Sequence, residues 1–271
     1  MKKTIFTLQK QKENKEKITM ITAYEYASAK ILDEFGVDMI LVGDSLGMVV
    51  LGYKDTLSVT IKEMIYHTKA VSRGVKDAFI VADLPFASYQ TSVKDAVKNA
   101  AKLIKKGRAN AVKLEGGVDY VPHIEAIAKA GIPVIAHLGL TPQFVNVLGG
   151  YKVQGKDENA AKELIKAAQE AQNAGAFALL LECVPWQIAK KITDEVKIPV
   201  IGIGAGKHCD GQVLVWHDIL GFNTDFKPKF VKTFGNVSKG IKAYIKEVRE
   251  QKFPDEQHSF SASEELLKKL Y

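Results

Sequence analysis

The sequence predicts an α/β fold, a (βα)8 barrel, and three observations carry that prediction. Short runs rich in Val, Ile and Leu recur along the chain, longer segments of helical period separate them, and Gly turns lead from the helices back into the apolar runs. Eight strands can be read: ITMITAY (18–24), DMILVGD (38–44), FIVADLP (79–85), AVKLEG (111–116), PVIAHLG (133–139), FALLLECV (177–184), PVIGIGA (199–205) and QVLVWHD (212–218). Near-continuous apolar character means burial on both faces, as in a parallel sheet covered by helices, and eight such strands close naturally into a barrel.

Amphipathic segments at 26–34, 61–73, 93–106, 159–174 and 187–196 place apolar residues three and four apart, so each would lay one face on the outside of the barrel. FGVDMI, AGIPVIA and AGAFALLL each carry Gly where the preceding helix would end, the position that favours a left-handed C-cap. The tail reads as a helix over 230–252 and another over 263–270, with Pro254 in FPDEQHSF interrupting them. The N-terminal lysine-rich arm and this tail would cap the barrel ends or contact neighbouring subunits. The expected organisation is one barrel domain over residues 1–271 with terminal extensions.

The chain has 271 residues, 46% of them hydrophobic and 25% charged, the balance of a soluble globular protein. Cys183 and Cys209 are too few for a disulfide framework and suit a reducing compartment, so a cytoplasmic location is expected. The basic opening lacks the apolar run of a signal peptide, and no segment reaches the ~20 apolar residues of a membrane span. The net charge of +7 is spread over helices and arms without aromatic interleaving, which argues against nucleic acid as a partner. A solvated lysine-rich surface is the simpler reading, although a positive field would also attract a small polyanion.

Chemistry in a barrel gathers where the strands end, because strand ends and following loops converge on one cavity. Thr22 and Tyr24, Asp44 with Ser45, Asp83, Lys113 with Glu115, His137, and Glu182 all fall at such ends. Each has a structural alternative: an Asp there commonly caps the next helix, Glu115 would pair with Lys113, and one His is often a satisfied core residue. Together they follow apolar runs, where an uncompensated carboxylate costs several kcal/mol. Three carboxylates, Asp44, Asp83 and Glu115, would repel one another unless a cation sat between them, and an oxygen-preferring ion such as Mg²⁺ would relieve that repulsion. An open metal site beside Lys113 suits a 2-oxo acid, whose enolate the metal would stabilise, with Glu182 a candidate base. GIGAG (202–206) reads equally as a phosphate loop or as a turn of close backbone approach.

TAYEYASAK, LVGDSLGMVVLGYKDTLSVT, ADLPFASY, VKLEGG, HLGLTPQ, GGYKVQGK, LLECVP and PVIGIGAG, in this order along nearly the whole chain, resemble the ketopantoate hydroxymethyltransferase family. The resemblance implies a barrel similar to the phosphoenolpyruvate/pyruvate enzymes, dependent on Mg²⁺ and assembled as a homodecamer. It implies hydroxymethyl transfer from 5,10-methylenetetrahydrofolate to 3-methyl-2-oxobutanoate, opening pantothenate biosynthesis. By motif, Asp44 and Asp83 would bind the metal, with Glu115 completing the site directly or through water. Asp44, Ser45, Asp83 and Lys113 would contact the oxo acid, and Glu182 would accept the proton. Tyr24 and His137 would line the pocket. Glu25, Ala27 and Trp186 vary the family pattern without touching that chemistry.

Two rivals remain open on sequence grounds. One is a carbon–carbon lyase or phosphonomutase of the same barrel group, which would use a reactive loop cysteine. The other is a non-catalytic barrel whose carboxylates are structural.

Overall fold

A computed structural model describes residues 2–222 and 227–259. By internal contacts the chain divides into two compact units, Met1–Trp216 with Lys229–Val231, and His217–Pro228 with Lys232–Tyr271.

The first unit holds all eight expected strands: β1 (Ile18–Thr22), β2 (Met39–Val42), β3 (Phe79–Asp83), β4 (Ala111–Glu115), β5 (Val134–Gly139), β6 (Ala178–Glu182), β7 (Val200–Ile203) and β8 (Gly211–Leu214). Every pairing is parallel, and β8 returns to β1, so the sheet closes in sequence order. The strands are shorter than the expected runs, whose end residues lie outside the ladder at one or both ends. At the eighth, the expected strand over 212–218 ends at Leu214, and the main-chain N–H of Trp216 donates to Thr22 Oγ1 (2.9 Å) as the chain turns into a helix.

Helices α1 (Ile5–Glu13), α2 (Tyr26–Glu34), α3 (Leu46–Val49), α4 (Ile61–Gly74), α5 (Val93–Lys102), α6 (Val121–Lys129), α7 (Val145–Leu148), α8 (Glu158–Asn173) and α9 (Trp186–Glu195) accompany the barrel strands. α4 starts on a capping box, Thr60 accepting from the Glu63 N–H while the Glu63 carboxylate accepts from the Thr60 N–H. The segment expected as one helix over 93–106 changes to π geometry at Leu103–Gly107, where Gly107 packs on Thr68.

Alternation along the strands divides the core in two. Outward residues such as Ile40, Val42, Ile80, Val112, Leu114, Leu179 and Leu181 pack with the helices. Inward residues Ile18, Met20, Met39, Leu41, Phe79, Val81, Ala111, Ile135, Ala178, Leu180, Ile201 and Val213 fill the lumen, and Leu8 of α1 joins them. The N-terminal arm is therefore a helix that closes the end where strands begin. Its Lys3 pairs with Asp38 just before β2, and its Lys12 with Asp210 just before β8 (2.8 Å). The apolar filling from below leaves the opposite end of the lumen for polar residues.

A short helix, α10 (Trp216–Leu220), crosses the boundary between units. In the second unit α11 (Val237–Arg249) begins on Asn236, whose side chain accepts from the Lys239 N–H. It is shorter than the helix expected over 230–252, because Gly235 and the Asn236 cap delay its start and Gln251 takes a left-handed backbone beyond its end (φ 56°). The helix expected over 263–270 lies outside the described residues.

Candidate active site

The inward faces that fill the lumen with hydrocarbon end in polar groups. On β3 the series is Phe79, Val81, Asp83; on β4 Ala111, Lys113, Glu115; on β5 Ile135, His137; on β6 Ala178, Leu180, Glu182. Register makes them neighbours, since Asp83 lies opposite Lys113, Glu115 opposite His137, and Gly139 opposite Glu182. Gly139, at φ 92°, leaves room for this approach, since a Cβ there would fall 2.3 Å from the Glu182 carbonyl oxygen. Asp44, two residues beyond β2, donates its main-chain N–H to Asp83 Oδ2 (3.0 Å).

Lys113 is the hub of this cluster. Its Nζ stands 3.0 Å from Asp83 Oδ1, 3.8 Å from Glu115 Oε1 and 3.2 Å from His137 Nδ1. Nδ1 of His137 is also 3.3 Å from Glu115 Oε1, and Nε2 is 3.2 Å from Glu182 Oε2. As a neutral ring His137 accepts from Lys113, and as an imidazolium it donates to Glu115. Asp44, Asp83, Lys113, Glu115 and His137 are buried, whereas the Glu182 side chain keeps 17% of its exposure, so it is the member open to an incoming molecule.

Burial, then the charges of Asp83 and Glu115, push the Asp44 carboxyl well above its ordinary range. Burial likewise raises Asp83 against the pull of Lys113. Glu115 goes the other way: burial would raise it, but the hydrogen bond and charge of His137, then Lys113 and the Gln143 N–H, hold it below the ordinary value. Burial and Lys113 would lower His137, yet Glu115 and Glu182 outweigh them and raise it to about 9. Lys113 is held above the ordinary lysine value by three carboxylates despite its burial.

The other expected residues fall around this cluster. The Tyr24 hydroxyl and Ser45 Oγ are 2.8 Å apart, and the Tyr24 carbonyl lies 2.7 Å from His67 Nδ1. GIGAG serves close packing: Gly204 (φ 63°) abuts Phe230 and Gly206 (φ 82°) abuts Trp186. Cys183, directly after Glu182, has a left-handed backbone (φ 49°), and burial, then Glu182, pushes its thiol up to about 11. Cys209 is buried and also raised by burial. Neither has the lowered thiol of a reactive lyase cysteine.

Two residues not singled out from the sequence, Tyr89 and Gln143, bind the cluster together. Gln143 Nε2 donates to Asp44 Oδ2 (2.8 Å) and to the Leu84 carbonyl (2.9 Å), while its main-chain N–H donates to Glu115 Oε2 (2.8 Å). The Tyr89 hydroxyl lies 2.7 Å from the Glu115 carbonyl and 2.9 Å from Gln143 Oε1. No local signal marks them: in ADLPFASY and HLGLTPQ each is a polar or aromatic residue a few positions beyond a strand end.

Among the described residues no three His, Cys, Asp or Glu side chains are gathered as a ready metal-binding set. Lys113 stands between Asp83 and Glu115, and both Glu115 oxygens face donors. Asp83 Oδ1 is different: it is buried, and the partner it faces among the described residues is the Lys113 ammonium at 3.0 Å. Asp44 and Asp83 therefore fit a hard cation that takes two protein carboxylates and completes its shell with water and substrate.

A family model described as ketopantoate hydroxymethyltransferase matches residues 2–256. The chain belongs to the ketopantoate hydroxymethyltransferase family. Two relatives named 3-methyl-2-oxobutanoate hydroxymethyltransferase bear this out over their whole length and the whole of this chain: one from Clostridium novyi, 59% identical over 275 residues, and one from Enterococcus faecalis, 58% identical over 275 residues. Among solved structures, phosphonopyruvate hydrolase in complex with oxalate and Mg²⁺ aligns at a TM-score of 0.64 and 13% identity, covering 99% of this chain and 94% of that one. A 2,3-dimethylmalate lyase of the phosphoenolpyruvate mutase/isocitrate lyase superfamily aligns at 0.60 and 16% identity, covering 100% and 95%. These likenesses show that this ketopantoate hydroxymethyltransferase family member shares its barrel fold with those two proteins.

Proposed function

We propose that this chain transfers a hydroxymethyl group from 5,10-methylenetetrahydrofolate to 3-methyl-2-oxobutanoate, giving 2-dehydropantoate and tetrahydrofolate, the first step of pantothenate biosynthesis. One observation carries the site reading: three buried carboxylates surround a single buried ammonium, with Glu182 open beside them. Lys113 offsets one of those charges, and a divalent cation would offset the others. Asp44 and Asp83 would hold that cation, Mg²⁺, with Glu115 acting through water. When bound, it would withdraw electron density from a chelated 2-oxo acid and make the C3 proton easier to remove.

The chain's own residues do the rest. Lys113 and the Ser45 hydroxyl hold the carboxylate end of the oxo acid, and Tyr24 orients Ser45 through their 2.8 Å contact. Glu182 Oε2 accepts the C3 proton, and His137 Nε2, 3.2 Å away, orients that carboxylate before the transfer. The main chain around Glu182 is tied on both sides, since its carbonyl accepts from the Leu140 N–H (2.8 Å) and the Cys183 carbonyl accepts from the Gln154 N–H (2.9 Å). The carbon nucleophile so formed bonds to the methylene carbon of the opened folate iminium, whose C=N electron pair passes to nitrogen, and water then displaces tetrahydrofolate from that carbon to leave the hydroxymethyl group. We further propose assembly as a homodecamer, supported by exposed Phe6, Phe35 and Tyr66, and a cytoplasmic location, supported by two free thiols.

The test is turnover of 3-methyl-2-oxobutanoate with 5,10-methylenetetrahydrofolate. Chelator should abolish 2-dehydropantoate formation and added Mg²⁺ should restore it. Folate-independent cleavage of oxaloacetate or 2-methylisocitrate would favour a lyase instead, and an inert Mg²⁺-loaded protein would contradict the catalytic reading.

A further inference from the structure

We infer that Gln143 is a positioning residue for the metal site: its carboxamide pins one oxygen of Asp44 and leaves the other for a divalent cation, while its main-chain N–H pins Glu115. The inference rests on the metal reading above and deepens it.

Hydrogen-bond chemistry sets the orientation of the carboxamide. The Leu84 carbonyl can only accept, so the group facing it at 2.9 Å must be the NH₂, and the same NH₂ reaches Asp44 Oδ2 at 2.8 Å. Oε1 then faces the Tyr89 hydroxyl (2.9 Å) and Gln90 Nε2 (3.0 Å). Every polar atom of the side chain is used within a buried residue, which holds the amide in one pose. Asp44 Oδ2 is committed to that amide, and Oδ1 has no hydrogen bond among the described residues. A carboxylate pinned at one oxygen presents the other as a monodentate ligand in a fixed direction, the arrangement by which outer partners orient metal ligands.

The backbone explains why this residue reaches both carboxylates. Gly139, in its left-handed conformation, ends β5 against Glu182, and Pro142 then starts the one-turn helix Pro142–Phe144. That turn aims the Gln143 N–H at Glu115 Oε2 and sends its side chain across the top of the lumen to Asp44, 99 residues away in sequence. A Glu at this position would add a fourth carboxylate to the cluster. A Met would keep the length and the main-chain bond while losing the amide.

The test is Mn²⁺ binding to the purified metal-free protein, followed by electron paramagnetic resonance, for wild type, Gln143→Met, Gln143→Leu and Asp44→Asn. Both Gln143 variants should bind Mn²⁺ about 10–100-fold more weakly than wild type. A merely structural role would lower the melting temperature and leave the affinity of the folded protein unchanged. Affinities within about twofold of wild type in a folded Gln143 variant would overturn the inference, provided Asp44→Asn is impaired. If wild type binds no Mn²⁺, or Asp44→Asn binds it as wild type does, the metal reading fails and the inference falls with it. Gln143→Leu, which also keeps the main-chain bond to Glu115 while losing the amide, supplies the answer should Gln143→Met not fold.

Discussion

Glu182→Gln is expected to reduce hydroxymethyl transfer by about 10²–10⁴-fold in kcat, the range that one positioned general base contributes. The amide nearly matches the carboxylate in shape, so the contact with His137 Nε2 at 3.2 Å and the ties around Cys183 persist. Only the ability to accept a proton is lost. KM for the oxo acid should therefore change little, because Ser45, Lys113 and the cation site are untouched. Steady-state kinetics with both substrates checks this. A variant retaining full kcat would remove Glu182 from the proton-transfer step.

Lys113→Met should cost about 3–5 kcal/mol of stability at neutral pH, the usual penalty for removing one partner of a buried ion pair. Asp83, 3.0 Å from the ammonium, and Glu115, at 3.8 Å, would remain buried without their shared cation. The sign of the pH dependence follows from linkage. Asp44 and Asp83 are already raised by burial, so the folded state binds protons that the unfolded state releases, and stability falls as pH rises through their folded pKa values. Removing Lys113 raises those values further. The Lys113→Met penalty should accordingly shrink toward acid pH, and Mg²⁺ should recover part of it at neutral pH by taking the missing positive charge's place. Urea unfolding at several pH values, with and without Mg²⁺, measures both effects. A penalty that does not vary with pH would mean that the carboxylates do not feel Lys113.

The barrel was legible because most of its strands, β2, β3, β6 and β7 among them, are buried on both faces and so read as near-continuous apolar runs, and all eight expected runs lie where the strands are found. The chemical rim was legible for a related reason: inward alternation carries Phe79 and Val81 to Asp83, and Ala178 and Leu180 to Glu182, so the last inward residue of a strand announces itself. What escaped sequence reasoning depends on long-range geometry. Gln143 acts on residues from β2, β3 and β4 through a turn after β5, and nothing local distinguishes it from a polar residue opening a helix. Lys113 looked like a neighbour to the metal site, whereas the closed sheet sets it between Asp83 and Glu115. Helix α1 escaped because its lysines hide a single buried contact, Leu8, and its capping by Thr4 and Thr7 is not the usual Glu-containing box.

The central claim is that Glu182, beside a cation-binding pair of buried carboxylates, removes the C3 proton of the oxo acid. Deuterium incorporation at C3 of 3-methyl-2-oxobutanoate in heavy water, followed by proton NMR without folate, reads that step alone. Wild-type protein with Mg²⁺ should exchange the proton rapidly, and chelator or Glu182→Gln should bring exchange close to the uncatalysed rate. Exchange that continues at the wild-type rate in Glu182→Gln, or in the presence of chelator, would contradict the account.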